Sequence, residues 1–159
     1  MQEELELLDV NIRALHILTK LFVKEFRRRN SGILLNVASS AGFLTGPLMA
    51  SYYASKNYVV RLSLALAEEL QRAGSSVSVS VLCPGPVDTN FNNRAGVSFH
   101  VQALDSKTVA RYAIDGALHG KTILVPGLLM KLSLFGARLV PQKLLAAVTY
   151  HIQEQKQKP

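Results

Sequence analysis

Apolar residues recur at steps of three and four from residue 3 to residue 29: Leu5, Leu8, Ile12, Leu15, Leu18, Phe22 and Phe26. That period predicts one long helix. Leu7, Val10, Ile17, Leu21 and Val23 widen the stripe, so the helix is expected to contact more than one surface. Asn30-Ser31-Gly32 ends it. The period then changes. Ile33-Leu34-Leu35-Asn36-Val37 is a short apolar run between turn residues, as suits a buried parallel strand. A loop of small residues follows, Ala38-Ser39-Ser40-Ala41-Gly42, then Thr45-Gly46-Pro47. A second helix is predicted from about Ser51 to Arg72, with Ser51 as its cap and Gly74 beyond its end. Val77-Ser78-Val79-Ser80-Val81-Leu82 reads as the next strand, its serines small enough for another layer to pack closely. Pro84-Gly85-Pro86 breaks it, and residues 86–104 read as an irregular flap. Asp105-Ser106 starts a third helix to about His119, and Lys121-Thr122-Ile123-Leu124-Val125 forms a third strand. Residues 128–154 read as a helical tail split at Pro141.

Helices alternating with about three strands imply an α/β fold with a parallel sheet and right-handed crossovers. At 159 residues the chain is expected to form a single domain over residues 1–159. Charge adds a preference for anionic partners: eighteen Lys+Arg against eleven Asp+Glu give +7. The cations gather at Arg27-Arg28-Arg29, where they complement a helix dipole, and along the tail. Cys83 is the only cysteine, which excludes an intrachain disulfide and points to a cytoplasmic setting, with Cys83 as a buried structural thiol. His16, His100, His119 and His151 have no metal-site spacing, so no metal is expected. The first residues do not read as a signal peptide, and no apolar run has the length of a membrane span. Nucleic acid is not an expected partner.

In open parallel sheets, ligands bind outside the carboxyl ends of the strands. Ser39 follows the first strand there, and Pro84-Gly85 follows the second. Tyr52 and Lys56 lie near the start of the helix between those strands, four residues apart and therefore on one face. A phenol has a pKa near 10, about three units too high for easy exchange at neutral pH. A nearby ammonium is expected to lower it, making a general acid or base. The Ser39 hydroxyl could donate to the same carbonyl oxygen as charge develops.

These segments closely resemble the short-chain dehydrogenase/reductase family. Asn36-Val37-Ala38-Ser39-Ser40-Ala41-Gly42 resembles its active-site serine segment. Tyr52-Tyr53-Ala54-Ser55-Lys56 resembles its Tyr-x-x-x-Lys motif, and Tyr52 rather than Tyr53 has the right spacing. Pro84-Gly85-Pro86-Val87-Asp88-Thr89 resembles the stretch that holds the nicotinamide, and Asp9-Val10-Asn11 the segment with a fourth catalytic residue. The resemblance implies a Rossmann-like doubly wound fold and an NAD- or NADP-dependent carbonyl/alcohol oxidoreductase. Tyr52 would exchange the proton, Lys56 would lower its pKa and bind the nicotinamide ribose, and Ser39 would orient the substrate. Asn11 would hold a water in a relay to Lys56. Pro84, Gly85, Val87 and Thr89 would contact the cofactor. Residues 86–104, Val97 and Phe99 among them, would form the substrate flap. The family's front is not found: the sequence has no Gly-x-Gly. The adenosine and pyrophosphate half of the site is therefore expected to be absent, leaving a parallel-sheet remnant that by itself does not hold the cofactor. The first strand would become an edge. Self-association or pairing with another chain, and peripheral membrane contact through the tail, are further expectations.

Overall fold

The computed structural model describes residues 1–89 and 103–157. The chain opens with a helix, α1, that runs Gln2–Leu8, passes through a π-helical segment Asp9–Ala14 and resumes as Leu15–Arg29. It leads into strand β1, Gly32–Val37. A 3₁₀ turn at Ser40–Phe43 precedes helix α2, Ala50–Arg72. Strand β2, Val77–Leu82, helix α3, Ser106–Leu118, and strand β3, Ile123–Leu124, follow. The tail forms α4, Leu128–Ala137, and α5, Gln142–Gln157. The long first helix was legible in its periodicity, but its π-helical stretch was not.

The described strands form one parallel sheet in the order β1-β2-β3, with Val37 opposite Leu82 and Leu82 opposite Leu124. The expected α/β architecture is therefore present. β2 is central and almost wholly buried, as a parallel strand covered on both faces must be. Val23, Leu66, Leu70, Val77 and Val79 join α1 and α2 to the sheet. Leu82, Val109, Ala113, Ala117 and Leu124 join α3 to it. Among the described residues β1 is paired only with β2, and Ile33 and Val37 on it are exposed.

Three helices close in the same way. Asn30, Gly74 and Gly120 adopt left-handed backbone after α1, α2 and α3. The next amide in each case turns back to a carbonyl five residues earlier: Ser31 to Phe26, Ser75 to Leu70, Lys121 to Gly116. Lys121 is thus spent on closing α3, so β3 is shorter than the five residues expected. Its pairing starts where the Val81 amide donates to the Thr122 carbonyl at 2.8 Å. The N-terminus of α2 also differs from expectation. Met49 holds the cap position without a side-chain hydrogen bond. The Ser51 hydroxyl lies inside the helix and donates to Glu4 at 2.6 Å, tying α2 to α1. Asp105 does cap α3, accepting from the Thr108 amide at 2.8 Å. Of the flap, residues 90–102 lie outside the described residues, Val97 and Phe99 with them. Its two ends are joined by a bridge between Val87 and Leu104.

Candidate active site

Ser39 ends the β1 segment in extended backbone and accepts from the Ala41 amide at 3.2 Å, which starts the 3₁₀ turn. Small residues are needed there. A Cβ on Gly42 would lie 2.6 Å from a Val60 methyl and 2.7 Å from the Lys56 carbonyl, so the turn packs directly on α2. Asn57 fixes the turn from the helix side. Its amide donates toward the carbonyls of Ala41, Leu44 and Tyr53 at 3.3, 3.0 and 3.1 Å. The Ser40 amide donates to the Pro84 carbonyl at 2.8 Å, which brings the Pro84-Gly85 stretch beside the serine turn.

Tyr52 and Lys56 project from the first turns of α2. The Lys56 ammonium lies 5.8 Å from the Tyr52 ring centre and 3.4 Å from the Val37 carbonyl at the end of β1. Ser39 hydrogen-bonds the Tyr52 hydroxyl. Burial pushes the Tyr52 phenol up from its ordinary value, and the Ser39 hydrogen bond pulls it partly back. Burial pushes Lys56 down. The expected lowering of Tyr52 by an ammonium is therefore overturned in this state of the protein: lost hydration favours the neutral form of both groups.

Asn11 reaches the same place from α1. It lies in the π-helical segment, a distortion often found at functional sites. Its amide donates to the Ser55 hydroxyl at 3.1 Å, and Ser55 donates to the Tyr52 carbonyl at 2.7 Å. Tyr53, by contrast, points into the core. Its hydroxyl accepts from Gln153 of α5, and its ring leaves no space for a Cβ on Gly46. Gly85 lies against Met130, whose terminal methyl would be 2.4 Å from an added Cβ. Thr89 is exposed. Cys83 is fully buried, and burial pushes its thiol up to about 12, in keeping with a structural role.

Ser55, Asn57, Met130 and Gln153 were not singled out in the sequence. Ser55 had a usable signal: Ser55, Val59, Ser63, Leu66 and Leu70 form the buried stripe of α2, and a polar residue on such a stripe needs a partner. Asn57 and Gln153 had none, since their partners are distant in sequence.

Two hydroxyls and an amine stand together here, a donor set that suits a ribose or a carbonyl oxygen. At Gly85 the side where a Cβ would stand is already filled by the Met130 methyl. Lys56 has no carboxylate ion-pair partner among the described residues.

The short chain dehydrogenase family model matches residues 2–97. The chain is similar to estradiol 17-beta-dehydrogenase 11 of Mus musculus, 30% identical over 146 residues, covering 91% of this chain and 48% of that protein. It is likewise similar to 17-beta-hydroxysteroid dehydrogenase 13 of Rattus norvegicus, 31% identical over 141 residues, covering 88% and 47%. Among solved structures, a short-chain dehydrogenase from Sphingobium yanoikuyae in complex with NADPH superposes with a TM-score of 0.70 at 26% identity. That match covers 83% of this chain and 53% of the other. The chain thus spans about half the length of the curated relatives it matches. The family match runs through Asn11, Ser39, Tyr52, Lys56 and Pro84-Gly85, and on it the chain belongs to the short-chain dehydrogenase family.

Proposed function

We propose that this chain carries the proton-transfer centre of an NAD- or NADP-dependent oxidoreductase that interconverts small carbonyl compounds and alcohols. One observation carries the reading. The hydrogen-bonded hydroxyls of Ser39 and Tyr52 and the desolvated amine of Lys56 stand together at the carboxyl end of β1, beside the Pro84 that follows β2. Tyr52 gives its proton to the substrate oxygen during reduction and takes one during oxidation. A phenol carries its proton at neutral pH and so can give it as the acid. Ser39 orients the same oxygen. Lys56 holds the nicotinamide ribose, and Pro84, Gly85, Val87 and Thr89 line the nicotinamide. When bound, the nicotinamide supplies or accepts the hydride. Asn11 holds a water for proton supply toward Lys56, and the Ser55 bond keeps Asn11 against α2. The unit is one domain, residues 1–159, with residues 86–104 as the substrate flap and residues 128–154 as the tail. Two long helices offer a surface for a homo-oligomer, and the tail offers peripheral contact with a membrane.

The chain by itself does not retain the dinucleotide, because its sequence has no glycine-rich turn for the phosphates. Calorimetry with NADPH and NADH at millimolar concentration should give no saturable heat; a saturable isotherm would reverse this point. The proton-transfer reading is tested by joining the first half of the mouse relative ahead of Met1. The fusion should reduce ketones with NADPH or NADH, and Tyr52→Phe should cost about a hundredfold or more. A fusion that binds cofactor but turns nothing over, or that tolerates Tyr52→Phe, sinks the assignment.

A second reading is favoured by the one-sided pairing of β1. In it the chain acts as a non-catalytic α/β module that pairs with a copy of itself or with another chain.

A further inference from the structure

We propose that the outer face of α4 docks on an anionic lipid surface. This rests on the peripheral membrane contact proposed above and commits it to one face and one lipid charge. α4 is apolar on its inner side and on its outer face, with Lys131 and Ser133 the exposed polar side chains between them. Leu134 is buried in a cluster with Cys83 and Val125, and Met130 packs on that cluster and against Gly85. This inner side is fixed in the core, so the helix cannot turn to hide the other. Leu128, Leu129, Leu132 and Phe135 remain 60–73% exposed, and Leu139 beyond the helix is 76% exposed. An outer apolar face of this kind, opposite a side already buried in the core, is one that a further surface would cover.

Charge selects the cover. Lys131 on α4 and Arg138 just beyond it are exposed, as is Lys143 at the start of α5. The Lys131 ammonium lies 5.7 Å from the Tyr112 ring centre, and the Arg138 guanidinium 5.8 Å from that of Phe43. These contacts hold the cations at the flanks of the helix. No Asp or Glu occurs from residue 116 to residue 153. Two copies of this face would therefore bring cations together with no carboxylate to meet them. A membrane with anionic headgroups matches both features. Ten residues of helix are about 15 Å long, enough to lie in the interface and too short to span. Among the described residues, no helix is long and apolar enough to cross a membrane. So small an apolar face binds weakly alone, and each nearby cation strengthens it only where the headgroups are negative.

Flotation of the full chain with vesicles provides the test. One set is phosphatidylcholine, the other an equal mixture of phosphatidylcholine and phosphatidylserine. The chain should float with the mixed vesicles, and raising the salt should weaken that binding. The pair Leu129→Glu, Leu132→Glu should lower the bound-to-free ratio at least about tenfold. The pair Lys131→Glu, Arg138→Glu should do the same, and it keeps the test decisive if the first pair disturbs folding. Equal binding to both vesicle types would overturn the charge dependence while leaving membrane contact standing. Binding to neither would overturn both. Variants that float like the parent would remove this face from the contact. A dimer in light scattering that Leu129→Glu, Leu132→Glu makes monomeric would assign the face to a second copy instead.

Discussion

Burial pushes Tyr52 and Lys56 toward their neutral forms, the phenol upward and the amine downward. Ser39 opposes this at Tyr52 by hydrogen bonding its hydroxyl. Ser39→Ala should therefore move the Tyr52 phenolate transition to higher pH. Ultraviolet difference titration against Tyr52→Phe reads that transition alone, and an unchanged or lower midpoint would contradict the described bond. The amine makes a stability prediction of definite sign. A lysine whose folded pKa is depressed destabilises the fold while it is charged, and the cost fades as pH rises toward the ordinary lysine range. Lys56→Met should accordingly be more stable than the parent at neutral pH, and the gap should close in alkali. Thermal melts across pH check both the sign and the trend.

At the scale of elements, the serine turn is held from α2 by one side chain. Asn57 donates toward three carbonyls, so Asn57→Ala should take from the Leu44 carbonyl its donor and from the Ala41 carbonyl the second of two. We expect a loss of about 1–2 kcal/mol in urea unfolding, with faster amide exchange at Ala41–Leu44. A loss confined to stability, with the turn still protected, would mean that other contacts define it. Gly46→Ala should cost about 1–3 kcal/mol, since the new methyl would fall 2.2 Å from the Tyr53 ring; chemical unfolding measures it, and a neutral result would contradict the packing. These elements also show what a sequence reveals. The helices and strands were legible because their periods and their glycine or asparagine stops are local signals. The cluster of Ser39, Tyr52 and Lys56 was legible through motif spacing. The π-helical segment, the Asn57 clamp and the Gln153–Tyr53 contact depend on tertiary geometry that leaves no mark on local pattern. The Ser51 cap failed for a related reason: Glu4, distant in sequence, took its hydroxyl.

For the whole molecule, exposed apolar side chains stand on α1, β1, α3, α4 and α5. Val10, Ile17 and Leu21 are exposed on α1, and Ile33 and Val37 on β1 beside it. Surface of this kind usually belongs to an interface. Light scattering at high concentration should show an oligomer, and Ile17→Glu with Leu21→Glu should shift it toward monomer. A parent that stays monomeric would remove the self-association reading. The open side of β1 also reaches further than its exposed residues. The Val37 carbonyl that Lys56 approaches ends the strand with a single neighbour. Strands with few neighbours twist more than strands held on both sides. Laying another strand along that edge would flatten the end of β1 and shift the oxygen on which the amine leans. The place where one amine of the site comes to rest is in this way tied to the width of the sheet beneath it.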